Sequence, residues 1–320
     1  MRRFEGVFAL PSRIKVVEVG PRDGFQNTRE FIPTETKVAA VLKLLEAGFE
    51  EIEVTSFVSP KAVPQMADSR EVFLAVKDRA RQAGVSLISL VPNARGAEIA
   101  LELGLDAVNF VISVSETHNL RNVRRTREES FAELTGIASA FASSRGAPRL
   151  ILSLSTAFGC PFEGVPPTSS VVEMLARGME LGIRRFILAD TMGSASPSQV
   201  KRTLEVVFSS LGDGGIELGL HLHDTYGRGL VNAYASLDYP VAFLESSFGG
   251  LGGCPFAPGA LGNVATEDLV DMLETSGVKT GIDLSKVLEA STIVESSLPG
   301  SVVSRVWRAR CGYASRYRGD

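Results

Sequence analysis

Between Ile14 and Gly277, short β-rich runs and amphipathic runs alternate about eight times. "IKVVEVG" (14–20) reads as a strand. "TETKVAAVLKLLEAG" (34–48) reads as a helix with Thr34 as N-cap and Gly48 as its stop. "FEEIEVTSF" (49–57) and "DSREVFLAVKDRARQAG" (68–84) repeat the pair. Further strands are expected at 85–92, 106–114, 149–159, 184–190, 216–224 and 241–250. The helical runs that follow them end at 104 or cover 127–146, 169–182, 196–212, about 228–238 and 266–277. Eight strand–helix units in roughly 265 residues match a closed (β/α)8 TIM barrel. The rival is a doubly wound open sheet, which usually has fewer strands and a glycine fingerprint after the first. Here "EVGPRDG" follows the first strand without G-x-G-x-x-G, so the barrel is preferred. The expected organisation is one catalytic domain, with the barrel at about 14–278 and a C-terminal helical extension at about 279–320.

Composition narrows the class. At 44% hydrophobic and 22% charged, the 320 residues have the balance of an ordinary soluble protein. A net charge of −4 gives no pull toward nucleic acid or acidic membranes, so neither is expected as a partner. Three cysteines, Cys160, Cys254 and Cys311, are too few and too scattered for a disulfide framework. Reduced thiols and the lack of a signal or spanning segment lead us to expect a cytoplasmic protein.

A barrel collects its chemistry at the C-terminal ends of its strands. The seventh strand ends in "GLHLHDTYG" (219–227), which holds two of the chain's three histidines. Residues i and i+2 of a strand share a face, so His221 and His223 project together. They are either two satisfied core histidines or a chelating pair for a divalent metal. Oxygen donors at other strand ends favour the metal. Asp23 follows the first strand and can bind metal or take a proton, and Arg22 beside it can steady an oxyanion. Glu53, with Glu51 on the same face, is a carboxylate inside a barrel strand, costly unless paired; Arg22 or a substrate is its expected partner. Asp190 ends the sixth strand in "LADTMG" and is expected to orient a ligand from behind. "GGLGGCPFAPGALGN" (249–263), with six glycines in fifteen residues, is either a flexible surface loop or a lid that brings Cys254 to a substrate. Asn263 offers a carbonyl oxygen, and Glu267 opens the next helix. Two nitrogen and two oxygen donors suit Mg2+ or Mn2+ and can accept Zn2+.

"VEVGPRDGFQN", "IEVTSFVSPKAVPQM", "GCPFEG", "ADTMG", "HLHDTYG", "GGLGGCP" and "GNVATEDLV" together resemble the 3-hydroxy-3-methylglutaryl-CoA lyases. That family sits in a metal-dependent barrel superfamily that also holds isopropylmalate and homocitrate synthases. The resemblance runs from about Ile14 to about residue 297. It implies that Asp23, His221, His223 and Asn263 bind the cation, and that Arg22 steadies an enolate. It also implies that Cys254 is the general acid and that Glu53 and Glu267 support the site. The implied reaction is metal-dependent retro-Claisen cleavage of an acyl-CoA, in a homodimer. Phe25, Phe248 and Phe256 stand at positions where the family carries other residues, which suggests a reshaped acyl pocket. Citramalyl-CoA or a longer branched hydroxyglutaryl-CoA is then an alternative substrate. A Claisen-type synthase acting on a 2-oxo acid is a more distant one. Arg29 and the stretch "HNLRNVRRTR" (118–127) are either CoA-phosphate contacts or solvated basic surface. The tail at 304–320 reads as a charged tail.

Overall fold

The computed structural model describes residues 10–28, 30–212, 215–253 and 262–310. Among them, eight parallel strands close into a barrel in sequence order. These are β1 (Lys15–Glu18), β2 (Glu51–Ser56), β3 (Ser86–Leu90), β4 (Ala107–Ser113), β5 (Arg149–Ser155), β6 (Arg185–Asp190), β7 (Glu217–Leu222) and β8 (Phe243–Ser246). β8 pairs back onto β1. Around them stand α1 (Thr34–Glu46), α2 (Ser69–Ala83), α3 (Ala94–Leu103), α4 (Glu116–Val123), α5 (Arg127–Ala142), α6 (Thr168–Glu180), α7 (Pro197–Leu211), α8 (Gly229–Ser236), α9 (Thr266–Thr275) and α10 (Leu284–Ser297). The TIM barrel expected from the alternation is the fold the chain adopts. No helix among the described residues is long and apolar enough to cross a membrane.

Three local departures matter for the site. The first strand stops at Glu18, and Gly20–Gly24 form a π-helical turn whose residues are all buried. Such one-turn widenings recur at functional sites. The basic stretch after β4 opens in a helix: α4 is capped by Ser115, and Arg121 stacks over the Phe162 ring at 4.3 Å. The start of the expected tail is docked. Ser304 Oγ and the Arg305 and Val306 N–H groups donate to Asp268, and the Trp307 indole N–H donates to Thr292. Residues 311–320 and Arg29 lie outside the described residues.

Two hydrophobic layers hold the barrel. Outside the sheet, Val41 and Leu44 of α1, Leu134 of α5, Val171 of α6, Leu204 of α7 and Leu273 of α9 are fully buried against the strands. Inside it, Val17, Val19, Ile88, Ala107, Ile151, Ile187 and Phe243 make a separate apolar plug. Below the plug lies a charged floor built from the first residues of strands. Arg185 pairs with Glu51, which also accepts from Arg149 Nη2 at 3.0 Å, and Arg185 Nη1 reaches Glu217 at 3.1 Å. Burial alone would raise the Glu51 carboxyl, but Arg185 and the other cations hold it below its usual range. Glu51 thus shares the lumen with Glu53, as parity requires, and faces its opposite end.

The plug depends on a missing side chain. Gly219 pairs in register with Phe243, whose ring fills the space where a residue-219 Cβ would stand, 2.2 Å from the nearest ring atom. Arg185 caps the same ring at 4.1 Å. Gly219→Ala is therefore expected to destabilise the protein by about 1–3 kcal/mol through overpacking. A lower urea midpoint would show it; an unchanged midpoint would mean that Phe243 moves aside at no cost.

Candidate metal and acyl-CoA site

A cavity of about 450 Å³ opens at the C-terminal ends of the strands. Arg22, Asp23, His221, His223 and Glu245 line one wall. The π-helical turn after β1 brings Arg22 and Asp23 there. β7 supplies His221. His223 lies one residue past that strand, in an isolated antiparallel bridge with Asn263. Backbone bonds on both sides of the bridge, Val264 N–H to Leu222 O and Asp224 N–H to Gly262 O, fix Asn263 opposite the histidine.

Asp23, His221 and His223 present ligand atoms that all lie within 4.8 Å of one another. The two histidine Nε2 atoms are 3.1 Å apart, and His221 Nε2 is 3.9 Å from Asp23 Oδ2. Asn263 Nδ2 donates to that same Oδ2 at 2.7 Å and to the Leu251 carbonyl at 3.0 Å. Gly252 leaves room for this approach: a Cβ there would stand 2.5 Å from Asn263 Nδ2.

Electrostatics sort the roles. Burial alone would raise the Asp23 carboxyl, but Arg22, both histidines and the Asn263 amide outweigh it and hold it at about 2. Asp23 is therefore a carboxylate at every physiological pH. His223 is pushed down to about 4, chiefly by burial and then by His221, and stays neutral, with one ring nitrogen carrying a lone pair. Burial would lower His221 too, but Glu245, bonded to its Nδ1 at 2.9 Å, and Asp23 raise it above its ordinary value. A carboxylate on Nδ1 fixes the tautomer that turns Nε2 toward a cation. Arg22 is locked between Glu53 (Nε to Oε2, 2.6 Å) and Asp23 (Nη1 to Oδ1, 2.5 Å), and these acids keep it charged.

The donor set fits a divalent cation. Two imidazole Nε2 atoms converge beside a carboxylate, and Asn263 Oδ1 is buried without a hydrogen-bond partner. Asp23 and Glu245 on this wall and Glu53, paired with Arg22, set three carboxyl groups around one guanidinium, so negative charge is in excess when all are ionised. Asp23, His221, His223 and Asn263 would hold the ion.

Other expected site residues take different positions. Asp190 points away from the histidines; its two oxygens accept the Ser194 and Ala195 N–H groups and so shape the loop after β6. Glu267 accepts the Gly249 N–H and the Ser291 hydroxyl, fastening the start of the glycine-rich stretch to α9 and α10. Phe25 and Phe248 meet edge to face at 5.7 Å, both about fully buried and off the cavity wall. Cys254 and Phe256 lie outside the described residues; Gly253, next to Cys254 in the chain, lines the cavity. Of the basic stretch, Arg125 lines the cavity but also reaches the Pro92 carbonyl at 3.0 Å.

Two functional carboxylates escaped the sequence reading. Glu245 backs His221. Glu18 accepts from Gly20 N–H (2.7 Å), Phe248 N–H (3.0 Å) and Thr266 Oγ1 (2.7 Å), and so ties the turn of Arg22 and Asp23 to the loop after β8. The signal was available: each is a carboxylate in an otherwise apolar strand, the argument that singled out Glu53.

The comparisons agree with this geometry. The HMGL-like family model matches residues 13–294. The mitochondrial hydroxymethylglutaryl-CoA lyase of Macaca fascicularis is 40% identical over 302 residues, covering 94% of this chain and 91% of its own. The hydroxymethylglutaryl-CoA lyase of Bacillus subtilis is 39% identical over 92% of this chain and 96% of its own. Among solved structures, the HMG-CoA lyase of Acinetobacter baumannii in complex with coenzyme A and 3-methylmalate superposes with a TM-score of 0.86 at 39% identity, covering 96% of this chain and 97% of that one. The chain belongs to the HMGL-like family, and with it to the carbon–carbon lyases.

Proposed function

We propose that this protein is a divalent-metal-dependent lyase that cleaves 3-hydroxy-3-methylglutaryl-CoA to acetyl-CoA and acetoacetate. The observation that carries the reading is the convergence of Asp23, His221, His223 and Asn263 beside a charge-locked Arg22, in a chain about 40% identical to hydroxymethylglutaryl-CoA lyases along nearly its whole length. Mg2+ or Mn2+ is the proposed ion, and when bound it supplies a Lewis acid that lowers the pKa of an alcohol placed on it.

The chain's own residues supply the rest. His221, with one ring nitrogen on Glu245 and the other turned to the ion, holds the ion and has no lone pair to spare. Asp23, an anionic carboxylate beside the ion with lone pairs on both oxygens, takes the proton of the substrate's 3-hydroxyl. The C3–O bond becomes the ketone, the C2–C3 bond breaks, and its electron pair moves into the thioester enolate. Arg22 meets the enolate oxygen with a guanidinium that Glu53 and Asp23 keep charged and aimed. Cys254 then gives its proton to C2, completing acetyl-CoA; its neighbour Gly253 on the cavity wall supports this role. Because Phe25 and Phe248 pack away from the cavity, they offer no support for a different acyl chain. The acyl-CoA is the proposed partner along with a second copy of the chain. The proposed compartment is the cytoplasm, as for the cytoplasmic 3-hydroxy-3-methylglutaryl-CoA lyase of Danio rerio, 40% identical over 94% of this chain.

The first test is turnover of 3-hydroxy-3-methylglutaryl-CoA, citramalyl-CoA and a longer branched homologue, with Mg2+ or Mn2+ and after EDTA. The expected result is metal-dependent release of acetoacetate from the first. Turnover of only another member would overturn the substrate assignment, and none at all would sink the lyase. Arg22→Gln is expected to lower kcat by about 10²–10³ with the fold intact by circular dichroism. Mn2+ affinity, read by isothermal titration, should weaken as the pH falls from 8 to 6. The sign follows from His221: its raised proton affinity keeps a proton in the way over more of that range. Glu245→Gln should weaken Mn2+ binding by roughly 10–100-fold through the lost orientation of His221.

A further inference from the structure

Four hydrogen bonds link β5 to Asp23 across the lumen, with Glu53 accepting from both sides. Ser153 Oγ donates to Asn109 Oδ1 at 2.7 Å, and Asn109 Nδ2 donates to Glu53 Oε1 at 3.0 Å. Arg22 Nε donates to Glu53 Oε2 at 2.6 Å, and Arg22 Nη1 donates to Asp23 Oδ1 at 2.5 Å. The orientation of Asn109 is forced. A carboxylate only accepts, so Asn109 must turn its amide nitrogen toward Glu53. Its carbonyl then faces Ser153, whose hydroxyl has a proton to give. All these side chains are buried.

An apolar residue is the cheaper occupant of a barrel lumen. Ile88 and Ile187, on β3 and β6, show that this barrel uses isoleucine inside where nothing polar is required. Asn109 and Ser153 therefore need a reason, and Glu53 provides one. Arg22 occupies only one of its oxygens; the other would be unsatisfied without the Asn109 amide. A carboxylate held at one oxygen can swing about its last torsion, and the guanidinium bound to it would swing too.

We propose that Asn109, fixed by Ser153, is a positioning residue of the lyase reaction: it sets the orientation of Glu53 and, through Glu53, the aim of Arg22 at the thioester. This rests on the function proposed above and adds to it a residue of the cavity wall that acts through Glu53 and Arg22. Misplacing a group by about 1 Å can cost roughly 10²-fold in rate.

The test is a double-mutant cycle with Asn109→Leu, which keeps the side chain's bulk and removes its amide. Alone, it is expected to lower kcat by roughly 10–100-fold with KM changed less than about threefold. In an Arg22→Gln background the same change should cost less than about threefold, because the group being aimed is gone. Equal losses in both backgrounds would overturn the proposal, as would a raised KM with unchanged kcat. Should Asn109→Leu fail to fold, Ser153→Ala frees the amide to turn and should give a smaller loss of kcat with the same non-additivity. A crystal structure of the variant gives a readout that does not require turnover. Glu53 and Arg22 displaced from their present positions would support the role, and both in place would refute it. A wild type inactive on every hydroxyacyl-CoA would defeat the function; an active wild type unaffected by Asn109→Leu would defeat only the positioning role.

Discussion

Closing eight strands on themselves leaves a lumen so narrow that every inward side chain faces all the others. A charge placed there has nowhere to go, so it must be neutralised on the spot. The barrel meets this demand in layers set by the two-residue period of the strands. Charges that begin the strands pair across the floor as Glu51 with Arg185. Apolar residues and the Phe243 ring fill the middle. At the top, Asp23, Glu53, His221 and Glu245 gather around Arg22. The apolar plug keeps the two charged layers apart, and the upper one opens onto a cavity.

The same constraint explains why so much was legible in the sequence. Eight repeats of strand and helix admit few architectures, and parity then put His221 on the inward face. The pairing of Arg22 with Glu53 followed from the cost of an unpaired carboxylate inside a barrel. Other features were hidden because they depend on contacts between distant segments. Nothing local says that Asp190 will bind its own loop's backbone, or that Ser304 and Arg305 will reach Asp268. Phe25 and Phe248 looked like determinants of the acyl pocket because each stands where the resembling family carries another residue. They pack against each other because the turn after β1 and the loop after β8 are neighbours in space. His223 shows how a right inference can have an incomplete reason. It lies just past β7, and the bridge to Asn263 adds to strand parity a second constraint that holds it beside His221.

Buried carboxylates recur in two different jobs. Asp23 is held as an anion at the cavity by the cations and amide around it. Glu18 and Glu267 lie behind the wall, where burial pushes their carboxyls up to about 8 and about 7 despite the backbone and hydroxyl groups that donate to them. They bind no candidate ligand; they bind backbone, and so convert two flexible connections into fixed supports. A helix or strand can position one residue well. Residues on neighbouring loops need such an internal brace to keep a common geometry.

The last of these braces comes from residues 302–305. The Val303 and Ser304 N–H groups donate to the Gly249 carbonyl, and Arg305 reaches Asp224, next to His223, at 3.0 Å. These residues leave the ribosome after all eight strands and all ten helices named above. A nascent chain can thus close its barrel while one support of both the histidine pair and the β8 loop is still missing. The site thus takes one of its supports from the segment that follows α10, outside the eight strand–helix units.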